Sequence, residues 1–156
     1  MDILTTLLTN TYTVQDLRHR VRILKSHLEN ILFGHHTEQL SPEDSRWIGS
    51  LPHSFTNQFN KDNVYPLFDQ LEDQIKKLNP LVIYLAFEPG QEQIEKIGQW
   101  FKKNLAKLPV FEIKVDPGLL GGVALVNSGV YKDYSLRSKI QEQEETILAE
   151  FKKYIR

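Results

Sequence analysis

The chain has no cysteine, which excludes disulfides and thiolate metal sites together. Long apolar runs are missing as well. The longest, residues 81–87, falls far short of the ~20 residues that a membrane-spanning helix needs. There is no excess of one charge. The formal net charge is −1, with 8 basic against 10 acidic residues up to position 78 and 11 against 10 beyond it. A nucleic-acid-binding domain normally carries a basic face, so that class is disfavoured. Asp2 and Thr5-Thr6 interrupt any apolar leader, and no basic segment precedes one. The expectation is a chain on the cytoplasmic side.

Chemical motifs are scarce too. The five histidines are scattered at positions 19, 27, 35, 36 and 53. His35 and His36 are neighbours in a loop, cannot face one side together, and have no acid or histidine at ligand spacing, so no zinc site is read. Gly118, Gly121 and Gly122 could suggest a phosphate cradle. A phosphate loop, however, needs Lys-Ser/Thr at a helix start, and a dinucleotide fingerprint needs glycines running into a helix. Here the glycines run into a strand, so no helix N-terminus waits for an anion. Asp133 and Ser135 have no histidine near them in sequence. No cofactor, metal or catalytic group is predicted.

What remains is an ordinary globular composition, 40 % hydrophobic and 25 % charged over 156 residues, enough for one domain or two small ones. Thr13 reads as an N-cap with Asp16 in the first turn, opening a helix whose stripe is Val14, Leu17, Val21, Leu24, Leu28 and Ile31. Gly34 reads as its C-terminal stop. Ser41-Pro42-Glu43-Asp44 starts a second helix, which carries Trp47, Ile48 and Leu51. Phe55 and Phe59 continue an apolar face. A further helix over residues 63–78 places Val64, Phe68, Leu71, Ile75 and Leu78 on one side. Each stripe needs a partner, and a small bundle over residues 1–79 supplies it.

At Asn79-Pro80 the texture changes, since the residue before proline is pushed out of the helical region. Residues 81–87 read as a strand buried on both faces. A helix follows with Ile94, Ile97, Phe101 and Leu105 on its stripe. Residues 111–115 alternate as a strand with one wet face. Asp116-Pro117 initiates a turn, Gly121-Gly122 leads into the next strand, and Asn127-Ser128-Gly129 signals a hairpin. Ser135 caps a final helix running to about Tyr154, with a polar middle at residues 141–145. The fold class is therefore α+β: a helical bundle, then a β-α-β-β-β-α unit over residues 80–156 with a small mixed sheet and a C-terminal helix.

Asp116-Pro117, a leucine pair, Gly121-Gly122, a short apolar strand, a turn, then Asp133-x-Ser135-Leu136-Arg137 resemble the C-terminal signature of the ATP synthase delta subunit family. That family includes the oligomycin-sensitivity-conferring protein. The resemblance is best over residues 79–142. The E-type stalk protein of archaeal and vacuolar rotary ATPases has a similar Asp-Pro and Gly-Gly segment, but residues 133–136 favour delta. The resemblance implies a non-catalytic stator part, in which the helical domain holds helices of the α subunits of the head and the C-terminal domain grips the b subunits of the peripheral stalk. It also implies a structural role for Asp116, Pro117, Gly121, Gly122, Asp133 and Ser135, and membrane association only through the complex. Ile147, Leu148, Phe151 and Ile155 are the candidate stalk surface. The stripe from Leu17 to Ile31 is the candidate head surface, set against the simpler reading that it is internal core. The family's helical domain is usually a larger, six-helix bundle. An unrelated helical adaptor, or a small-ligand domain built on the glycine segment, are the other readings.

Overall fold

The computed structural model describes residues 2–9, 11–34, 40–105 and 110–154. His35, His36, Lys107 and Ile155 lie outside them. The chain divides into two units, Met1–Leu78 and Asn79–Arg156, and among the described residues it is an α+β fold of eight α-helices and one four-stranded sheet.

The first unit holds α1 (Ile3–Leu8), α2 (Val14–Phe33), α3 (Pro42–Gly49), α4 (His53–Thr56) and α5 (Val64–Lys76). The Thr13 hydroxyl accepts the Asp16 amide at 3.0 Å, and Gly34 ends α2 in the left-handed region at φ 71°. Only glycine takes that conformation without strain. The Ser41 hydroxyl accepts the Asp44 amide at 3.1 Å, with Pro42 at the first helical position. Leu17, Val21, Leu24 and Leu28 are buried with Leu7, Phe55, Phe59, Val64, Phe68 and Leu71. The aromatic rings interlock: Phe59 stacks on Phe68 at 5.7 Å and meets Phe55 edge-on at 5.6 Å.

Of the two readings of the α2 stripe, burial favours internal core from Leu17 to Leu28, with α1 and α3 packed against the helix. The buried stretch stops short of Ile31, which is 64 % exposed, although Phe33 still stacks on Tyr65 of α5 at 5.8 Å. The helix α1 was not anticipated; six residues are too few to show a period, and it exists because Leu7 reaches the core.

Two charged contacts tie α2 to α3. His19 Nε2 lies 2.9 Å from Asp44 Oδ1, and the Arg20 guanidinium sits over the Trp47 ring at 5.2 Å. Desolvation raises the Asp44 pKa, but hydrogen bonds from Ser41 and His19 outweigh it and hold the carboxyl below its usual range.

The second unit runs β1 (Leu81–Leu85), α6 (Gln91–Asn104), β2 (Phe111–Val115), a 3-10 turn (Pro117–Leu119), β3 (Gly122–Asn127), β4 (Val130–Ser135), α7 (Leu136–Glu142) and α8 (Glu144–Tyr154). Sheet order is β2-β1-β3-β4, with β1 and β2 parallel and the other pairs antiparallel. A parallel neighbour requires a crossover, which α6 provides. It packs Phe101 against Phe111 at 5.5 Å, on the sheet side that carries buried Leu81 and Ile83. Val82 and Tyr84, on the other side, are only half-buried, so β1 is not enclosed on both faces as expected. The hairpin turns on Ser128 (φ 49°) and Gly129 (φ 80°), the two positive values that a two-residue type I′ turn requires.

The final helix is two helices. Gln143 leaves the helical region at φ −111°, ψ 10°, and α8 starts anew after it. No proline or glycine lies between residues 136 and 154, so neither accounts for the break. A continuous helix would set Glu142 against Glu145 one turn apart, a like-charge penalty. The break instead places Glu144 and Glu145 in a first turn, where the helix dipole favours acids.

Phe68→Ala, which empties the centre of the first unit, is expected to lower its unfolding free energy by about 3–5 kcal/mol. Ile31→Ala is expected to change it by less than about 0.5 kcal/mol. Urea denaturation of both variants checks this.

Candidate functional site

The glycine segment is a joint that launches α7 from the sheet. The Asp116 amide donates to the Leu85 carbonyl at 2.8 Å, extending the parallel ladder by one residue. Its carboxylate accepts the Gly118 amide at 2.9 Å and caps the 3-10 turn. Pro117 occupies the first position of that turn, where a fixed φ and a missing N–H cost nothing. The leucine pair divides its work: Leu119 is fully buried, while Leu120 is 64 % exposed and takes φ 63°.

Gly122 has φ +77°, and a Cβ there would stand 2.5 Å from the Tyr134 carbonyl oxygen and 3.1 Å from Ser135 Cα. Glycine is required twice over, by conformation and by space. Gly121 is backbone-extended and donates no side chain; its carbonyl accepts the Leu136 amide at 2.9 Å. The first residue of α7 is thereby still bonded to the sheet.

Asp133 and Ser135 complete the joint. The Ser135 amide donates to Asp133 Oδ1 at 2.8 Å. The Ser135 hydroxyl accepts the Ser138 amide at 3.2 Å, capping α7. Ser135 is fully buried. Hydrogen bonds from the Ser135 hydroxyl and amide hold the Asp133 carboxyl below its usual range, with Tyr131 and Arg137 adding to the effect. Desolvation and the Asp133 carboxylate push the Tyr131 hydroxyl up, and that hydroxyl donates to Asp133 Oδ2 at 3.2 Å. The side chains of Asp116, Asp133 and Ser135 are thus all engaged in holding the backbone. Among the described residues, no three His, Asp or Glu side chains converge as metal ligands.

Two surfaces stand open. In the second unit neither α7 nor α8 contributes a buried residue. Leu136, Ile140, Leu148 and Phe151 are 49, 42, 49 and 61 % exposed, and Ile147 is half-buried. Leu136, Ile140 and Ile147 line a shallow groove of about 470 Å3 at the elbow, with Lys139, Glu142 and Gln143 on its rim. In the first unit, Val21 and Ile75 floor a cleft of about 480 Å3 between α2 and α5, bordered by Arg18, Arg22, Lys25, Glu72 and Lys76. That cleft was missed in the sequence because its walls come from helices some fifty residues apart. In the sequence alone Arg18, Arg22 and Lys25 lie off the α2 stripe and read as a solvated face.

Gly122→Ala is expected to cost about 3 kcal/mol or more, since the backbone must move. Gly129→Ala, at a similar φ but with open space around it, is expected to cost about 1 kcal/mol. Thermal denaturation of the two variants separates the steric from the conformational part. Because the Asp133 pKa is depressed on folding, its contribution is full above the ordinary value of about 4 and is lost as pH falls through the lower folded value. The melting-temperature gap between wild type and Asp133→Asn is therefore expected to be full at pH 7 and to close below about pH 4.

The family described as ATP synthase delta (OSCP) subunit matches residues 61–147. Among curated proteins, the ATP synthase subunit delta of Ligilactobacillus salivarius is 32 % identical over 74 residues, covering 47 % of this chain and 41 % of that protein. The same subunit of Persephonella marina is 30 % identical over 95 residues, covering 58 % and 52 %. That of Caldicellulosiruptor bescii is 26 % identical over 82 residues, covering 52 % and 46 %. The chain spans about half the length of the curated relatives it matches. The matched region takes in the whole joint from Asp116 to Ser135, and on that match the chain belongs to the ATP synthase delta (OSCP) subunit family.

Proposed function

We propose that this protein is a non-catalytic stator subunit of a rotary ATP synthase, joining the α subunits of the catalytic head to the b subunits of the peripheral stalk. The observation that carries the reading is the pair of helices leaving the sheet. The take-off of α7 is fixed by a backbone hydrogen bond and a steric lock, yet among the described residues neither α7 nor α8 carries a fully buried side chain. An apolar helix face that starts from a fixed joint and stays largely exposed suits a part that transmits force and performs no bond chemistry. Leu148 and Phe151, with Ile147 beside them and Ile155 further along the sequence, are the stalk contacts in this reading. Apolar helix-in-groove contacts give such attachments their strength.

The α2 stripe was a candidate head surface set against internal core, and this reading takes the head contact elsewhere. With the α2 stripe buried, the cleft between α2 and α5 is the better seat, since its apolar floor and cationic border suit an amphipathic helix with acids on its flanks. Membrane association is then peripheral, through the complex and on the cytoplasmic face. No helix among the described residues is long and apolar enough to cross a membrane.

Phe151→Asp and Leu148→Asp are each expected to weaken binding to purified stalk b subunits at least about tenfold, which is 1.4 kcal/mol. The melting temperature should stay within about 1 °C of wild type, because both side chains are exposed. Sedimentation with the stalk and calorimetry of the free chain measure the two quantities. Unaltered binding by both variants would remove the stalk assignment from α8.

A further inference from the structure

The last helix is electrically polarised along its length. Glu144 and Glu145 fill its first turn, and Lys152 and Lys153 its last. Lys153 is engaged with Glu150, whereas Glu145 and Lys152 enter no ion pair among the described residues. Being seven residues apart, Glu145 and Lys152 share one flank of the helix, next to the side that carries Leu148 and Phe151. The two ends also differ in shape. The elbow groove of Leu136, Ile140 and Ile147 lies at the acidic end.

We propose that α8 receives a helix running antiparallel to it, with basic residues near that helix's C-terminus facing Glu145 and acidic residues upstream facing Lys152. Its apolar end seats in the elbow groove. The inference rests on the stalk reading above and names the direction and charge order of the stalk segment that binds. The physical reason is general. Helices carry acids at their N-terminal ends and bases at their C-terminal ends, to match their own dipoles, so an incoming helix has the same polarity as α8. Antiparallel docking sets opposite charges against each other at both ends, and parallel docking sets like against like. With 11 residues, about 16 Å of helix, α8 offers only a few apolar side chains, which fix contact but not direction. Charge decides the direction.

The absence of cysteine makes single-cysteine variants of the full chain clean reporters. Glu144→Cys, four residues before Leu148 and seven before Phe151 and so on their face, marks the acidic end of α8, and Tyr154→Cys its exposed basic end. The probe is the C-terminal segment of the stalk b subunit with one cysteine at its last residue. Disulfide formation is expected to favour Glu144→Cys over Tyr154→Cys at least about fivefold, since the two sites are ~15 Å apart along the helix. In addition, the double reversal Glu145→Lys with Lys152→Glu is expected to weaken binding about tenfold at low salt, with the loss shrinking as salt rises. Binding with an equal or reversed cysteine preference, or without any effect of the double reversal, overturns the antiparallel arrangement and leaves the stalk reading standing. A probe that does not bind the wild-type chain overturns both.

Discussion

The second unit depends on the close approach of Gly122 to the backbone of Tyr134 and Ser135. With 2.5 Å between a hypothetical Cβ and the Tyr134 oxygen, no other residue lets β3 begin where it does. Given that approach, Gly122 pairs with Ser135, and the Gly121 carbonyl is left to take the Leu136 amide. The ladder therefore runs into α7 without a loop. Ser135 serves at once as the last residue of a strand and the cap of a helix, and Asp133 holds it from behind. A helix mounted in this way inherits the stiffness of the sheet.

That mounting gives the exposed side chains of α7 and α8 their meaning. A loosely tethered helix with an apolar face would fold back onto its own domain. Here the first residue of α7 is bonded to the sheet, and the face stays outward. Rigid attachment and outward apolar surface are the two requirements of a mechanical coupling. The first unit offers a different kind of surface, a cation-bordered cleft over a closed aromatic core.

Much of this was legible in the sequence where the determining chemistry is local. Thr13, Ser41 and Ser135 announce helix starts because capping uses a side chain and an amide three residues on. Asp116-Pro117 and Ser128-Gly129 announce turns for similar reasons. The small mixed sheet followed from one crossover and one hairpin. What could not be read was set by distant residues. Whether Ile31 is covered, and whether Val82 and Tyr84 are enclosed, depends on residues far away in the sequence. The break at Gln143 carries no proline or glycine to flag it, only a run of acids that reads as a solvated face. Within the joint, the residue types were visible in sequence. That a Cβ at Gly122 would meet a carbonyl was not, because Tyr134 reaches it only through the hairpin register.

Amide hydrogen exchange of the full chain, alone and bound to the stalk b subunits, tests the central claim most directly. The account predicts slow exchange at residues 135–138 in both states, with residues 144–154 exchanging fast in the free chain and becoming protected on binding. Slow exchange across 144–154 in the free chain, or no gain of protection when the stalk is bound, would contradict it.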